Sequence, residues 1–255
     1  MAASLYYAPL PFTATPYSGS PITGYPASNV ESHRITRPWR ATSTGFKGIT
    51  CDLGSEMDIA AALFQDVNIP PTTAYHTTYT APDSGVFTAR GGCNVLLTDP
   101  FGRARGLKIL NLTGIRYVRF GVNDASVPTD GAIYWNIGAI YIFASGVAPM
   151  AKAPRYGVSQ EIIKPSQDIA LPNGQFATVS LGPHRTSLSL DYDDLIDSSD
   201  DVQAIYRATR QGPICLSLGY QGWDFWPLEL ADQDARMQWS DYRVNRFSMR
   251  LREII

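Results

Sequence analysis

Two hydrophobic patterns alternate along the first 147 residues. Ile49, Cys51 and Leu53 share one side of an extended segment, with Thr50 and Asp52 on the other, which is the period of a half-buried strand. The run from Ile59 to Val67 is apolar on both sides, as a strand covered on both faces would be. An alternating strand followed by a continuously apolar one predicts an edge-to-centre progression in a sandwich. Further strands are predicted at Cys93 to Leu97, Leu107 to Leu112, Ile115 to Phe120 and Ile137 to Ala144, and the Asp-Leu-Gly at Asp52 to Gly54 reads as a strand terminus. Residues 1–36 are rich in Pro, Ser, Thr, Tyr and Ala and hold no sustained period, so they read as an extended arm.

The apolar period lapses at "GVAPMAKAPRYG", Gly146 to Gly157, which places a linker at 148–157 between a sandwich at 37–147 and a β-rich domain at 158–255. Beyond it, Leu188, Leu190 and Tyr192 share one face of a strand, and Phe247, Met249 and Leu251 alternate with Arg246, Ser248 and Arg250. "PICLSL" reads as a buried strand. The segment Asp197 to Gly212 is the one predicted helix. Ser198 or Ser199 is its N-cap, Asp200 and Asp201 lie in its first turn, Val202, Ile205 and Tyr206 share a face, and Gly212 stops it. The fold class expected is therefore mainly β, with one α-helix covering the second sheet.

Composition sharpens this picture by exclusion. At 255 residues, 44% hydrophobic and 17% charged, the chain can bury a core without staples. A net charge of −2 with interspersed signs gives no field to steer nucleic acid or an anionic membrane. Cys51, Cys93 and Cys215 are far apart with no metal-like spacing and read as small buried hydrophobes made in a reducing compartment. The N-terminal residues have no basic n-region and their apolar positions are broken by prolines, which argues for folding in the cytosol and against membrane insertion. On that ground the sequon at Asn111 is set aside.

Chemistry finds little to hold. His33, His76 and His184 have no partner at ligand spacing, and no GxSxG, Walker or GxGxxG motif occurs, so no metal, cofactor or catalytic residue is expected. The acidic run Asp191 to Asp201 lacks the glycine and terminal glutamate of a calcium loop and is better explained by helix capping. Carboxylates on separate strands could serve glycoside hydrolysis, but spacing gives no positive support for them. Trp223, Phe225 and Trp226 concentrate in one short stretch. They suit either a strand in a core or, for Trp223 and Trp226, an interface or sugar platform.

Several stretches in order carry a resemblance: Tyr25 to Gly54 with its Ala-x-Asn, Trp-Arg and Asp-Leu-Gly, then the apolar strand, "IRYVRFGV" and "WNIGAIYIFA". Over residues 22–147 the chain resembles the discoidin or galactose-binding β-sandwich family, a jelly roll in which the equivalents of Trp39, Asp52 and Gly54 are framework and ligands meet loops at one end. Its long segment Tyr75 to Gly92 and its lack of the usual cysteine clamp depart from the secreted members. The second half is similar in style to the β-sandwich-plus-helix unit of tail-tube and distal tail proteins of long-tailed bacteriophages. Together these resemblances imply a non-enzymatic structural virion protein of a tail tip or baseplate, assembled in the host bacterial cytoplasm. Its partners would be copies of itself in a closed ring and the tube, hub and tape-measure proteins, with cell-surface glycan a further ligand of the sandwich. Tyr6, Tyr7, Phe12 and Tyr17 of the arm would grip a neighbouring subunit. The alternative is a carbohydrate-binding module acting with a glycan-active enzyme.

Overall fold

The computed structural model describes residues 4–17, 21–32, 36–42, 47–68, 76–83, 85–93, 95–98, 104–122, 132, 134–147, 159–163, 166–170, 176–180, 185–192, 206–210, 212–217, 226–230, 236–240 and 244–253. Its first half contains β1 (Ser4–Pro9), β2 (Thr13–Tyr17), a 3-10 turn at Ala27–Ser32, β3 (Trp39–Thr42), β4 (Lys47–Val67), β5 (His76–Ala81), β6 (Thr88–Ala89), β7 (Val95–Thr98), β8 (Ala104–Val122), β9 (Tyr134–Ile137) and β10 (Ala139–Val147). The second half adds β11 (Ser159–Ile163), β12 (Ser166–Ala170), β13 (Phe176–Ser180), β14 (Arg185–Tyr192), β15 (Ile214–Ser217), β16 (Trp226–Leu230), β17 (Arg236–Ser240) and β18 (Val244–Glu253). Every pairing among the described residues is antiparallel, and the protein is mainly β, as the periods predict.

The two longest strands are each predicted as two. β4 and β8 pair from Lys47↔Val122 to Val67↔Ala104, with the register shifting between Asp52 and Met57 and again towards Val67. Gly54 (φ 80°), Asn111 (φ 47°) and Gly114 (φ 65°) take left-handed backbone at these irregularities, where an extra residue bends a strand without ending it. Asp-Leu-Gly is thus a bend and not a terminus: Gly54 N donates to Asp52 Oδ1 at 2.8 Å and the strand continues. The first half of β4 buries Ile49 and Cys51 on its core side and its second half buries Ile59 through Gln65 in succession. This is not the predicted passage from edge to centre, because the first half already lies between β2 and β8 as the second lies between β10 and β8.

Two cores result. The larger joins Trp39, Ala41, Trp135 and Ile137 of the separate β3–β9 pair to Ile49, Cys51, Phe64, Val118 and Phe120 of the main sheet, with Phe64 and Phe120 stacked at 4.0 Å. The smaller packs Tyr6, Ala61, Leu63, Leu107, Tyr141, Phe143 and Cys215 on the other side of β4 and β10. Cys51, Cys93 and Cys215 are all buried.

The arm reading needs correction. β1 is an interior strand, hydrogen-bonded on one side to β10 (Leu5↔Val147, Tyr6↔Gly146) and on the other to β15 (Leu5↔Leu216, Tyr6↔Cys215). Leu5 and Tyr6 are both buried, because a strand paired at both edges and covered on both faces has no period to display. β2 likewise pairs with β4, from Thr13↔Asp52 to Tyr17↔Gly48. β1 also carries one continuous sheet, ordered β11-β14-β18-β16-β15-β1-β10-β4-β8-β5-β6, across the linker placed at 148–157. Leu188, Leu190, Met249 and Leu251 are buried as their alternation predicts. Of the predicted helix, residues 206–210 are helical with Ala208 buried, and its capping residues and Val202 and Ile205 lie outside the described residues.

Candidate functional site

The outer side of the first sheet gathers groups that the sequence scatters over more than a hundred residues. One transverse row runs Thr15, Thr50, Arg119, Tyr79 and Ala89, because Thr15 pairs with Thr50 and Thr50 with Arg119, while Tyr79 pairs with both Arg119 and Ala89. Alternation puts Val118 and Phe120 into the core and turns Arg119 and Tyr117 outward. Tyr17 stands two residues beyond Thr15 and Phe87 two before Ala89, so both share this face. Their rings hold the Arg119 guanidinium between them, its Cζ 3.6 Å from the Tyr17 centroid and 3.5 Å from that of Phe87. Arg119 Nε donates to Thr50 Oγ1 at 2.9 Å. Burial beneath the rings pushes the Arg119 pKa down, opposed by the neighbouring Tyr17 and Tyr79.

The row is flanked by a second cation of different status. Arg116 donates from Nε and Nη2 to Asp52 Oδ1 and Oδ2 at 2.8 and 3.0 Å, and its Cζ lies 5.0 Å from the Tyr117 ring. Tyr117 in turn meets Phe87 at 6.2 Å. The Arg116 hydrogen bonds hold the Asp52 carboxyl below the usual carboxylate range, helped by the Gly54 N–H. Tyr17 is 38% exposed and Val86, beside Phe87, is 78% exposed, so aromatic and aliphatic surface is open to solvent here. What the arrangement offers chemically is flat apolar surface bordered by fixed hydrogen-bond donors.

A second arginine clamp lies at one end of the sandwich. Arg40 follows the buried Trp39 on β3 and therefore points away from the core, where its Cζ sits 4.2 Å from the Tyr25 ring and 4.4 Å from the Tyr134 ring. Its Nε donates to Asn136 Oδ1. Asn136 also donates from Nδ2 to Asp66 and from its backbone N to Asn68 Oδ1, and Asn68 Nδ2 reaches the Tyr134 carbonyl. Asn29 Nδ2 donates to the Pro38 carbonyl at 3.0 Å. The Ala-x-Asn and Trp-Arg residues are thereby spent on tying loop to strand, the framework role expected for Trp39.

The assembly residues separate. Tyr6 is 2% exposed inside its own chain, Tyr7 and Phe12 are half-buried, with Phe12 against the larger core, and Tyr17 alone reaches the aromatic row. Trp223 and the side chain of Trp226 lie outside the described residues, as do His33, His184 and the His76 side chain; Trp226 itself pairs with Leu216 in β16. Among the described residues no cluster of three metal-ligating side chains occurs, and no helix is long and apolar enough to cross a membrane. Sequence reasoning missed Arg119, Tyr79 and Phe87. The outward Tyr-x-Arg of "IRYVRF" was the one signal available, since a strand with a buried face turns those two side chains to solvent together.

No protein-family model matches the sequence, and no curated protein matches it. Solved structures do. CpGH89CBM32-6 of Clostridium perfringens is 22% identical, with 53% of this chain and 94% of that one covered at a TM-score of 0.39. The chitosan-binding module 1 of a chitosanase/glucanase from Paenibacillus sp. IK-5 is 19% identical, covering 54% and 98% at 0.40. The lectin domain of lectinolysin, complexed with Lewis B antigen, is 10% identical, covering 53% and 94% at 0.40. No finding supports the tail-tip reading.

Proposed function

We propose that this chain is a non-catalytic glycan-binding module whose ligand lies on the row formed by Tyr17, Arg119, Phe87 and Tyr79. The observation that carries the reading is the Arg119 guanidinium fixed between two partly exposed rings on the outer face of a sheet. A sugar ring has an apolar face for an aromatic side chain and an equatorial rim of hydroxyls for donors in a fixed plane, and this row supplies both. Stacking orders the rings and the cation before a ligand arrives, which lowers the entropy lost on binding. The tail-tip reading loses the arm that was to grip a neighbouring subunit, since residues 4–9 spend their backbone hydrogen bonds within the chain.

A glycan microarray probed with the full chain tests the reading, followed by calorimetry on the best binder. Tyr17→Ala and Phe87→Ala should each weaken that binder at least about 10-fold, the loss expected of an aromatic anchor, with the melting transition retained. An array with no binder, or a binder indifferent to both substitutions, overturns it.

A further inference from the structure

Two arginines three residues apart on one strand are treated differently. Arg116 is neutralised inside the molecule by both oxygens of Asp52. Arg119 has no carboxylate beside it among the described residues; its single hydrogen bond there runs from Nε to the neutral Thr50 hydroxyl. With rings at 3.6 and 3.5 Å covering its two faces, the Arg119 guanidinium can take a new partner only in its own plane. Nε is used, which leaves the edge formed by Nη1 and Nη2. That edge presents two parallel N–H donors at the spacing of the two oxygens of a carboxylate.

We infer that the ligand of this face is an acidic saccharide, a sugar whose carboxylate is gripped by the Nη1–Nη2 edge of Arg119 while its ring lies against Tyr17 or Phe87. The inference rests on the glycan-binding reading and adds the charge of the ligand to it. The partly desolvated cation lacks an anion of its own, and a carboxylate would offset the hydration it has lost. A planar anion fits better than a tetrahedral one, because the rings confine new bonds to one plane.

The test is calorimetric titration of the full chain with oligogalacturonate, oligomannuronate, a hyaluronan tetrasaccharide and sialyllactose. Each is run beside its carboxyl-reduced neutral counterpart, with oligothymidylate as a phosphate control. At least one acidic member should bind about 10-fold or more tightly than its neutral counterpart, the ratio expected of a charge-assisted fork, and added salt should narrow the gap. Arg119→Gln should bring the ratio to about one, and Arg119→Lys should restore only part of it, because an ammonium has no planar fork. Thermal melts of both variants separate loss of recognition from loss of fold, and Thr50→Val, which frees Nε without removing the cation, should keep the preference. Equal affinity for acidic and neutral members, abolished by Tyr17→Ala, overturns the inference and leaves the glycan reading standing. Binding of oligothymidylate alone overturns both, and so does a carboxylate preference that survives Arg119→Gln and Tyr17→Ala together.

Discussion

Tyr6 and Gly146 face each other across the β1–β10 ladder, and the tyrosine ring occupies the space a side chain at 146 would need: a Cβ there would lie 2.7 Å from Tyr6 Cδ1. The contact fixes β1 between the two halves of the sheet, since Tyr6 also pairs with Cys215 on its other edge.

Two changes test this. Gly146→Val should destabilise by about 1–3 kcal/mol through overpacking, read by urea unfolding. Removing residues 2–9 should cost far more, because it exposes the edges of β10 and β15 and opens the smaller core. An extended arm could be removed without unfolding the chain, whereas a strand paired on both edges cannot. A truncated chain that melts like the full one would refute the interior role of β1.

Trp39 is fully buried, and among the described residues its Nε1 has no acceptor. Trp39→Ala should cost about 3–5 kcal/mol as a buried aromatic truncation. Trp39→Phe should cost roughly 1–2 kcal/mol, because the smaller ring leaves a void yet removes an unsatisfied donor. Denaturant unfolding of the pair checks the order, and equal costs would mean that the indole N–H is satisfied in solution.

Burial pushes the Cys93 thiol up to about 12, and it pushes Cys51 higher still, with Glu31 adding to the effect there. A thiol reacts as its thiolate, so both should be silent to an aromatic disulfide reagent at mildly alkaline pH and become reactive only on unfolding. The rate should rise with denaturant in step with the loss of structure. Immediate labelling of either residue in native buffer would contradict the packing around it.

Asp52 has a folded pKa below its unfolded value, chiefly through Arg116. Its contribution to stability is therefore complete above the unfolded pKa and is lost as pH falls through the lowered folded one. The pair is well exposed, 39% and 30% for the two side chains, so the effect should be small and salt-sensitive. Unfolding midpoints measured from neutral pH down through the acid range should fall less steeply for Asp52→Asn than for the native chain. Parallel curves would remove the ion pair from the account.

Which parts of this were legible in advance follows from what an alternating pattern records. Period two in Ile49 to Leu53, in Leu188 to Tyr192 and in Phe247 to Leu251, together with the continuous apolar run after Ile59, determined a mainly β chain and most of its buried faces. A strand that separates core from solvent must write that separation into every second residue. The framework role of Trp39 came from the family resemblance instead, since a single residue carries no period.

Tertiary structure alone decided three things. β1 carries no period because both its faces and both its edges are covered, so nothing local distinguishes it from an arm. The bends at Gly54 and Gly114 join strands that punctuation separates, because glycine reads equally as an end or as a bulge until the partner strand shows that pairing resumes. The row of Thr15, Thr50, Tyr79, Phe87 and Arg119 exists only through cross-strand register, which brings together side chains up to 104 positions apart by hydrogen bonds between backbones. Sequence fixes which residues of each strand face outward; which of them stand beside one another depends on how the strands are aligned, and a slip of one residue would turn each of these groups to the opposite face.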